Sequence, residues 1–228
     1  MAVTDEVRYG WKFVHSDDRH AVPRVRGEGP FLLEEAPLAY ETAYAAVTGG
    51  LADGSNVLIV VSPMLSCEDA YLLAAWVAGL DGDGTRVTFA VGPVPFDGED
   101  KTFADGFTLR DEKAPNARGV RRVLAKFAKK KLLEFDDAVK AMGDADAVVL
   151  TGNYPSDWVT PDLVAAFGHG AFLVLIDTLP NGLTDRADVV LPAATWVEKA
   201  GKAKLLRPEY TGELEGMMSK LFRKTGVA

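Results

Sequence analysis

Cysteine and histidine are both scarce in this sequence of 228 residues. Cys67 is the single cysteine, and the histidines are His15, His20 and His169. One cysteine cannot build a disulfide framework, nor the four-cysteine sites that hold structural zinc or iron–sulfur clusters. A transition-metal site would need carboxylate ligands in addition. We therefore expect no metal in this chain, and we interpret Cys67 as a small residue packed at a helix start.

Long apolar runs are absent as well. No segment approaches the roughly 20 apolar residues that span a bilayer, and residues 4–8 lack the apolar region of a secretion signal. We expect a cytoplasmic protein without direct membrane insertion. The net charge of −8 argues against general binding of nucleic acid.

The common nucleotide-binding and catalytic motifs are missing too. The Gly201-Lys202 pair is not followed by Ser or Thr, so it is not a P-loop. The first predicted strand runs into Ser62-Pro63-Met64 rather than into a Gly-x-Gly-x-x-Gly turn, which leaves a Rossmann site little support. The Gly-x-Ser-x-Gly elbow of the serine hydrolases does not occur.

What the sequence does contain is an alternation of short apolar strands and helices. The strands are continuous apolar runs bounded by turn residues, a pattern typical of strands buried on both faces. Strands that alternate with helices predict βαβ units, and right-handed crossovers then give an α/β three-layer sandwich with a mostly parallel sheet. The predicted strands are residues 56–62, 86–91, 145–151, 171–177 and 188–191.

Local signals set the bounds of the helices. Residues 37–49 predict a helix that the Gly49-Gly50 pair ends. Ser66 is a good N-cap for a helix that continues to Leu80, and residues 135–142 predict another. Thr160-Pro161-Asp162 is a strong start for a helix that stops near Gly168.

The remaining segments divide the chain into three parts. Residues 1–35 predict an irregular N-terminal segment, residues 36–200 the α/β domain, and residues 201–228 a C-terminal tail with an amphipathic helix. Inside the domain, residues 92–118 show no periodicity and predict a long loop. The helix in the tail is predicted from an apolar stripe at helical spacing, made of Leu214, Met217, Met218, Leu221 and Phe222.

Two loops follow the carboxyl ends of predicted strands. Gly152 and Asn153 come after one strand, and Asp177 and Thr178 lie at the end of another. Ligands of open α/β sheets bind outside these strand ends, so the two loops predict a shared crevice. The same residue types also form ordinary turns, and that alternative stays open. We expect the crevice to be partly filled by side chains such as Trp158 or Trp196.

A basic segment interrupts the acidic sequence after Pro115. On a helical wheel its basic residues, except Lys131, fall on one side, and Val120, Val123, Leu124 and Phe127 fall on the other. The face is either a solvated surface or a docking face for an acidic partner protein. The residues that would make partner contacts are Arg121, Arg122, Lys126, Lys129 and Lys130; Arg118 and Lys131 flank them.

Several segments resemble the molybdopterin oxidoreductase superfamily. Residues 187–199, ADVVLPAATWVEK, resemble its ADVVLPA…EK signature. Residues 8–19 (RYGWKFVHSDDR), residues 115–119 (PNARG) and the stretch from Ser62 to Tyr71 are similar to further parts of the family pattern. Within the superfamily, the likeness is to the C-terminal, molybdopterin-domain-like part of the large iron–sulfur subunit of bacterial NADH-quinone oxidoreductase, respiratory complex I.

The resemblance implies a formate dehydrogenase/DMSO reductase-like fold, and it also shows departures. Family relatives carry iron–sulfur clusters and molybdopterin guanine dinucleotide, but Thr4 stands where the family has a cluster cysteine. Residues 92–118 contain neither cysteine nor serine, where catalytic relatives hold molybdenum. In those relatives, loops at the positions of Gly152-Asn153 and Asp177-Thr178 help to hold the guanosine-phosphate arm of the pterin. Here these four residues are expected to be a vestigial cofactor site.

Two functions follow from this resemblance. The first is a non-catalytic, degenerate structural domain without a cofactor, held by other subunits of an NADH-quinone oxidoreductase-type complex at the cytoplasmic face of the inner membrane. The second is an oxidoreductase domain that still binds molybdopterin or a guanine nucleotide at the two loops. An unrelated nucleotide-binding α/β domain is a third, weaker alternative.

Overall fold

All five predicted strands form in the computed structural model, which describes residues 10–82, 86–155, 157–167, 170–195 and 198. They are β2 (Val57–Val61), β3 (Val87–Val91), β6 (Ala147–Thr151), β7 (Phe172–Asp177) and β8 (Val189–Pro192). A two-residue strand, β1 (Arg24–Val25), joins them. The sheet has the order β1-β8-β7-β6-β2-β3, and every pair is parallel except the antiparallel pair of β1 and β8.

Within the described residues, five α-helices cover the two faces of the sheet. They are α1 (Ala36–Asp53), α2 (Cys67–Asp81), α3 (Ala117–Phe127), α4 (Phe135–Ala141) and α5 (Pro161–Ala166). Alternate residues of β2 enter different cores: Ile59 packs with α1, α2 and α3, whereas Leu58 packs with α4 and α5. The described residues are therefore an α/β fold in three layers with a mostly parallel sheet, as the alternation of strands and helices predicts.

Helices α2 and α5 begin at the predicted N-cap residues, Ser66 and Thr160. The Ser66 hydroxyl accepts a hydrogen bond from the Asp69 backbone N–H at 3.1 Å, and Thr160 accepts one from Leu163 at 3.2 Å. These bonds satisfy N–H groups that have no partner within the first helical turn. Helix α5 ends at Ala166, two residues before Gly168, which lies outside the described residues.

The predicted end of the first helix is wrong. Helix α1 continues through Gly49-Gly50 to Asp53. A Cβ on Gly50 would lie 2.3 Å from the Phe172 ring, whereas one on Gly49 would meet nothing within 4 Å. Gly50 thus permits close packing of the helix on β7, and the glycine pair is a packing feature rather than a stop signal.

The predicted long loop at residues 92–118 is also wrong in part. It contains a small hairpin of two strands, β4 (Lys101–Thr102) and β5 (Thr108–Leu109). The prediction failed because strands of two residues are too short for periodicity to show. The C-terminal part of the same segment already belongs to α3.

The N-terminal segment is tied to the sheet in its described part. Strand β1 pairs with β8, and the Arg26 N–H donates to the Asp188 carbonyl at 2.7 Å. Short 3₁₀ turns at Gly10–His15 and Leu33–Glu35 flank β1, so the segment is less irregular than predicted. The predicted helix at residues 214–222 and Trp196 lie outside the described residues.

Candidate functional site at the carboxyl ends of β6 and β7

The two strand-end loops lie side by side. Strand β6 pairs with β7 so that Thr151 is opposite Ile176, and the Gly152 N–H donates to the Ile176 carbonyl at 2.9 Å. This register places Gly152-Asn153 next to Asp177-Thr178. A Cβ on Gly152 would lie 2.1 Å from Asp177 Oδ2, so only glycine fits between the strand and the carboxylate.

Asp177 is the centre of this arrangement. The residue is 3% exposed, and its carboxylate accepts four hydrogen bonds. Oδ1 accepts from the backbone N–H groups of Asn153 and Thr178, each at 2.7 Å. Oδ2 accepts from Trp158 Nε1 at 2.8 Å and from Asn181 Nδ2 at 3.0 Å. We call Gly152, Asn153, Trp158, Asp177, Thr178 and Asn181 the Asp177 corner.

Asn153 holds the two loops together. Its φ of 71° is left-handed, a conformation that asparagine tolerates better than most residues. Its Oδ1 accepts from the Thr178 hydroxyl at 3.0 Å, and its Nδ2 donates to the Ala194 carbonyl at 3.0 Å. The side chain therefore joins β6 and β7 to the segment after β8.

Two aromatic rings, those of Tyr154 and Trp158, pack together at the Asp177 corner. The Trp158 and Tyr154 ring centroids are 5.1 Å apart, and the Tyr154 hydroxyl donates to the Pro93 carbonyl at 2.6 Å. Burial raises the pKa of Tyr154 far above its ordinary value. Trp158 thus occupies the crevice, as expected for one of the two tryptophans proposed to fill it.

These bonds decide what the corner can hold. A pyrophosphate at a strand end is usually held by free backbone N–H groups or by cationic side chains. Here the N–H groups of Asn153 and Thr178 already donate to a carboxylate, whose negative charge would repel a phosphate. The lysines that follow the last strand in sequence, Lys199, Lys202 and Lys204, lie outside the described residues.

An open groove of about 730 Å³ lies beside the corner, between the N-terminal segment and the residues after β8. Arg19 and Glu198 form a two-armed ion pair in it, with Nη1–Oε1 at 2.8 Å and Nη2–Oε2 at 2.6 Å. Glu198 Oε2 also accepts from the Thr195 N–H at 2.8 Å. The hydrogen bond from Arg19 is the main cause that lowers the pKa of Glu198 to about 2.

His20 connects the groove to the corner. Its backbone N–H donates to the Thr178 carbonyl at 3.1 Å. Burial lowers the pKa of the imidazole, and the nearby Asp177 opposes this shift. Among the described residues, His20 Nε2 has no hydrogen-bond partner. His20 is therefore a neutral wall residue of the groove near neutral pH.

The basic segment is only partly helical. Helix α3 ends at Phe127, so Lys129 and Lys130 follow it in non-helical backbone, which corrects the prediction of one continuous helix. The inner face is as predicted, with Val120, Val123, Leu124 and Phe127 buried. Arg121 is half-buried, and its Nη2 lies 2.8 Å from Glu134 Oε2. The exposed cations of the predicted docking set are Arg122, Lys126, Lys129 and Lys130.

Sequence reasoning missed three parts of this site. The partners Trp158 and Asn181 of the Asp177 carboxylate were not assigned that role, and the Arg19–Glu198 pair was not foreseen. A signal for the pair did exist, since Arg19 and Glu198 lie in two of the segments that resemble one family. Nothing in the local sequence indicates which carboxylate Trp158 would meet.

Comparisons with known proteins identify no family for this chain. No family model matches it, and no curated protein matches it. Among the described residues, no helix combines the length and apolar content that a bilayer crossing needs. The described part of the chain also contains no cluster of three or more His, Cys, Asp or Glu residues suited to a metal ion.

Proposed function

We propose that this chain is a non-catalytic structural domain of the molybdopterin-oxidoreductase type, which works as a docking subunit within an NADH-quinone oxidoreductase-type complex. The observation that carries the proposal is that the Asp177 carboxylate already accepts four hydrogen bonds from within the chain. Four internal donors use both of its oxygens, including the backbone N–H groups of Asn153 and Thr178 at the two strand ends. A former ligand crevice has on this interpretation become part of the protein core.

The partner would be an acidic surface of a neighbouring subunit. Helix α3 carries four basic and no acidic residues within 11 residues, in a chain whose net charge is −8. Lys129, Lys130 and Lys131 extend this charge beyond the helix. Such a local reversal of sign favours association with an acidic surface and sets its orientation.

The α2 helix adds an apolar strip beside this charge. It packs against α3, and its Tyr71 ring lies 5.3 Å from that of Phe127. On its outer side, Leu72 is 65% and Trp76 is 41% exposed, one helical turn apart. An exposed aromatic residue on a helix that packs against a basic helix is a common composition of protein interfaces.

A nucleotide titration tests the loss of the ligand site. Guanosine 5′-diphosphate added to the purified chain in a calorimeter is expected to give no saturable heat in the micromolar range that working nucleotide sites reach. Metal analysis and mass spectrometry of released small molecules should likewise find no stoichiometric molybdenum, tungsten or guanine nucleotide. Tight binding or a stoichiometric cofactor would overturn the structural proposal and support the alternative, a pterin- or nucleotide-binding oxidoreductase domain.

Co-purification tests the docking role. The tagged chain, isolated from cells that produce it, is expected to retain NADH-quinone oxidoreductase subunits in stoichiometric amounts. The combined change Arg122→Glu, Lys126→Glu and Lys130→Glu should release them, whereas Lys140→Glu on α4 should not. Lys140 is a suitable control because it is exposed and lies on the opposite face of the sheet. Recovery without any such subunit contradicts the proposal.

A further inference from the structure

The outer side of α1 is unusually apolar for a surface that faces water. Leu38 and Tyr44 are 54% and 55% exposed, and the turn before the helix exposes Leu32 and Leu33. In its 18 residues α1 contains only two charged side chains, Glu41 and Asp53. A helix that is apolar on both sides is normally covered on both. We call Leu32, Leu33, Leu38 and Tyr44 the α1 patch.

We propose that residues 214–222 of the same chain cover the α1 patch. This segment lies outside the described residues, but its sequence carries five apolar residues at the spacing of one helical face: Leu214, Met217, Met218, Leu221 and Phe222. A stripe of this kind needs an apolar surface to bury it, and the α1 patch supplies one. The inference is independent of the proposed docking function.

The charges around the two surfaces are complementary. Glu34 and Glu41 are exposed at the α1 patch, with no basic residue in α1. Residues 213–224, the segment with its flanks, have Lys220, Arg223 and Lys224 together at the C-terminal end and Glu213 and Glu215 at the N-terminal end. The other exposed apolar strip, on α2, has Glu68 and Asp69 in the same helix, but the four basic residues of the neighbouring α3 outnumber them and would repel these cations. Charge therefore selects the α1 patch over α2.

The connection is also long enough. Glu198 and Tyr40 line the same groove, so the described chain reaches the side of α1 before the segment begins. The 15 residues between Glu198 and Leu214 can extend to about 50 Å. Helix α1 is only about 27 Å long at 1.5 Å per residue. The segment can reach any part of the α1 patch.

Paired cysteines test this placement in the full chain. In the variant Tyr44→Cys with Leu221→Cys, mild oxidation is expected to form a disulfide within one chain, with diamide taking up the two thiol hydrogens. The product is detected as a monomer that migrates faster in a non-reducing gel. Disulfides require Cα atoms within about 7 Å. The matched control is Leu72→Cys with Leu221→Cys, because Leu72 is similarly exposed but lies on α2. Docking should favour the first pair by at least about tenfold over the control.

Other outcomes would overturn the inference. A disulfide-linked dimer means that a second copy covers the patch, and equal yields in both pairs mean an undirected tail. A second measurement avoids reliance on cysteine chemistry: Leu221→Asp should speed hydrogen exchange in α1 by several-fold and leave α3 unchanged. Unchanged exchange in α1 contradicts the docking of this segment.

Discussion

At the Asp177 corner each oxygen of a buried carboxylate has two donors, whereas at the α1 patch large apolar side chains stand more than half exposed. The first region needs nothing from outside, because its polar groups are satisfied within the chain. The second has apolar surface that burial would stabilise by about 25 cal/mol per Å². The difference indicates which region is complete within the described residues and which still has apolar surface to cover.

The largest expected effect comes from opening the Asp177 corner. Asp177→Ala leaves one buried and three partly buried donors without their acceptor, each at a cost of up to about 1–3 kcal/mol before relaxation. We expect the free energy of unfolding, measured in urea, to fall by about 3–5 kcal/mol in total. Asp185→Asn is the control, because the Asp185 side chain is fully exposed and its change should stay within about 0.5 kcal/mol. Equal effects for the two variants would show that the carboxylate is not a structural centre.

Adding one methyl group should have opposite signs in the two regions. Gly152→Ala places a Cβ against Asp177 and should destabilise the fold by about 1–3 kcal/mol. Gly49→Ala lies in helical backbone of α1 with nothing within 4 Å, and should stabilise by about 0.5–1 kcal/mol. Thermal unfolding of the two variants against wild type gives the sign directly. A stabilised Gly152→Ala variant contradicts the close fit described for the corner.

A double-mutant cycle measures whether the α1 patch is covered. Leu38→Ala should cost about 1 kcal/mol in the wild-type chain if residues 214–222 pack on it, and close to zero in the Leu221→Asp background. The coupling between the two changes is read from urea unfolding of all four proteins. If the free-energy changes of the two substitutions are additive, Leu38 does not contact residue 221, and the proposal that residues 214–222 cover the α1 patch is contradicted.

The smallest effect concerns the Arg19–Glu198 pair. The pKa of Glu198 lies at about 2 in the folded chain, below its ordinary value of 4.5, so its contribution to stability is full above pH 4.5 and is lost as the pH falls toward 2. Because the pair is partly exposed, we expect at most about 1 kcal/mol. The difference in unfolding free energy between wild type and Glu198→Gln, followed from about pH 6 to about pH 2, should shrink across this range. A constant difference would mean that the pair does not link the two segments.

The sequence predicted the sheet well and the edges of elements less well. Strands such as β2 and β6 are continuous apolar runs, and their burial on two faces requires that pattern. The end of α1 was wrong, because the close approach of Gly50 to Phe172 is a tertiary contact that the local sequence does not encode. Strand β1 was missed for the same reason, since two residues become a strand only by pairing with β8.

The candidate site was predicted in position but not in content. Parallel pairing requires that Gly152-Asn153 and Asp177-Thr178 meet, which follows from the strands alone. The donors that fill the corner come from elsewhere: Trp158 reaches Asp177 across 19 positions, in a segment whose path no periodicity describes. The function, the partners and the docking role of the basic segment remain predictions that the experiments above address.

Strand β2, which lies between β6 and the edge strand β3, also sets the order in which the chain can fold. Its partner β3 follows 30 positions later, but Val57 pairs on the other side with Ala147, 90 positions later. Contacts between such distant residues form late, because the loop entropy must be overcome first. During synthesis the first half can complete β2 and β3 while one edge of β2 still lacks its neighbour. All five residues of β2 are apolar, and their backbone groups on that edge are unpaired at this stage. Newly made chains are therefore most prone to aggregate before residue 147 emerges.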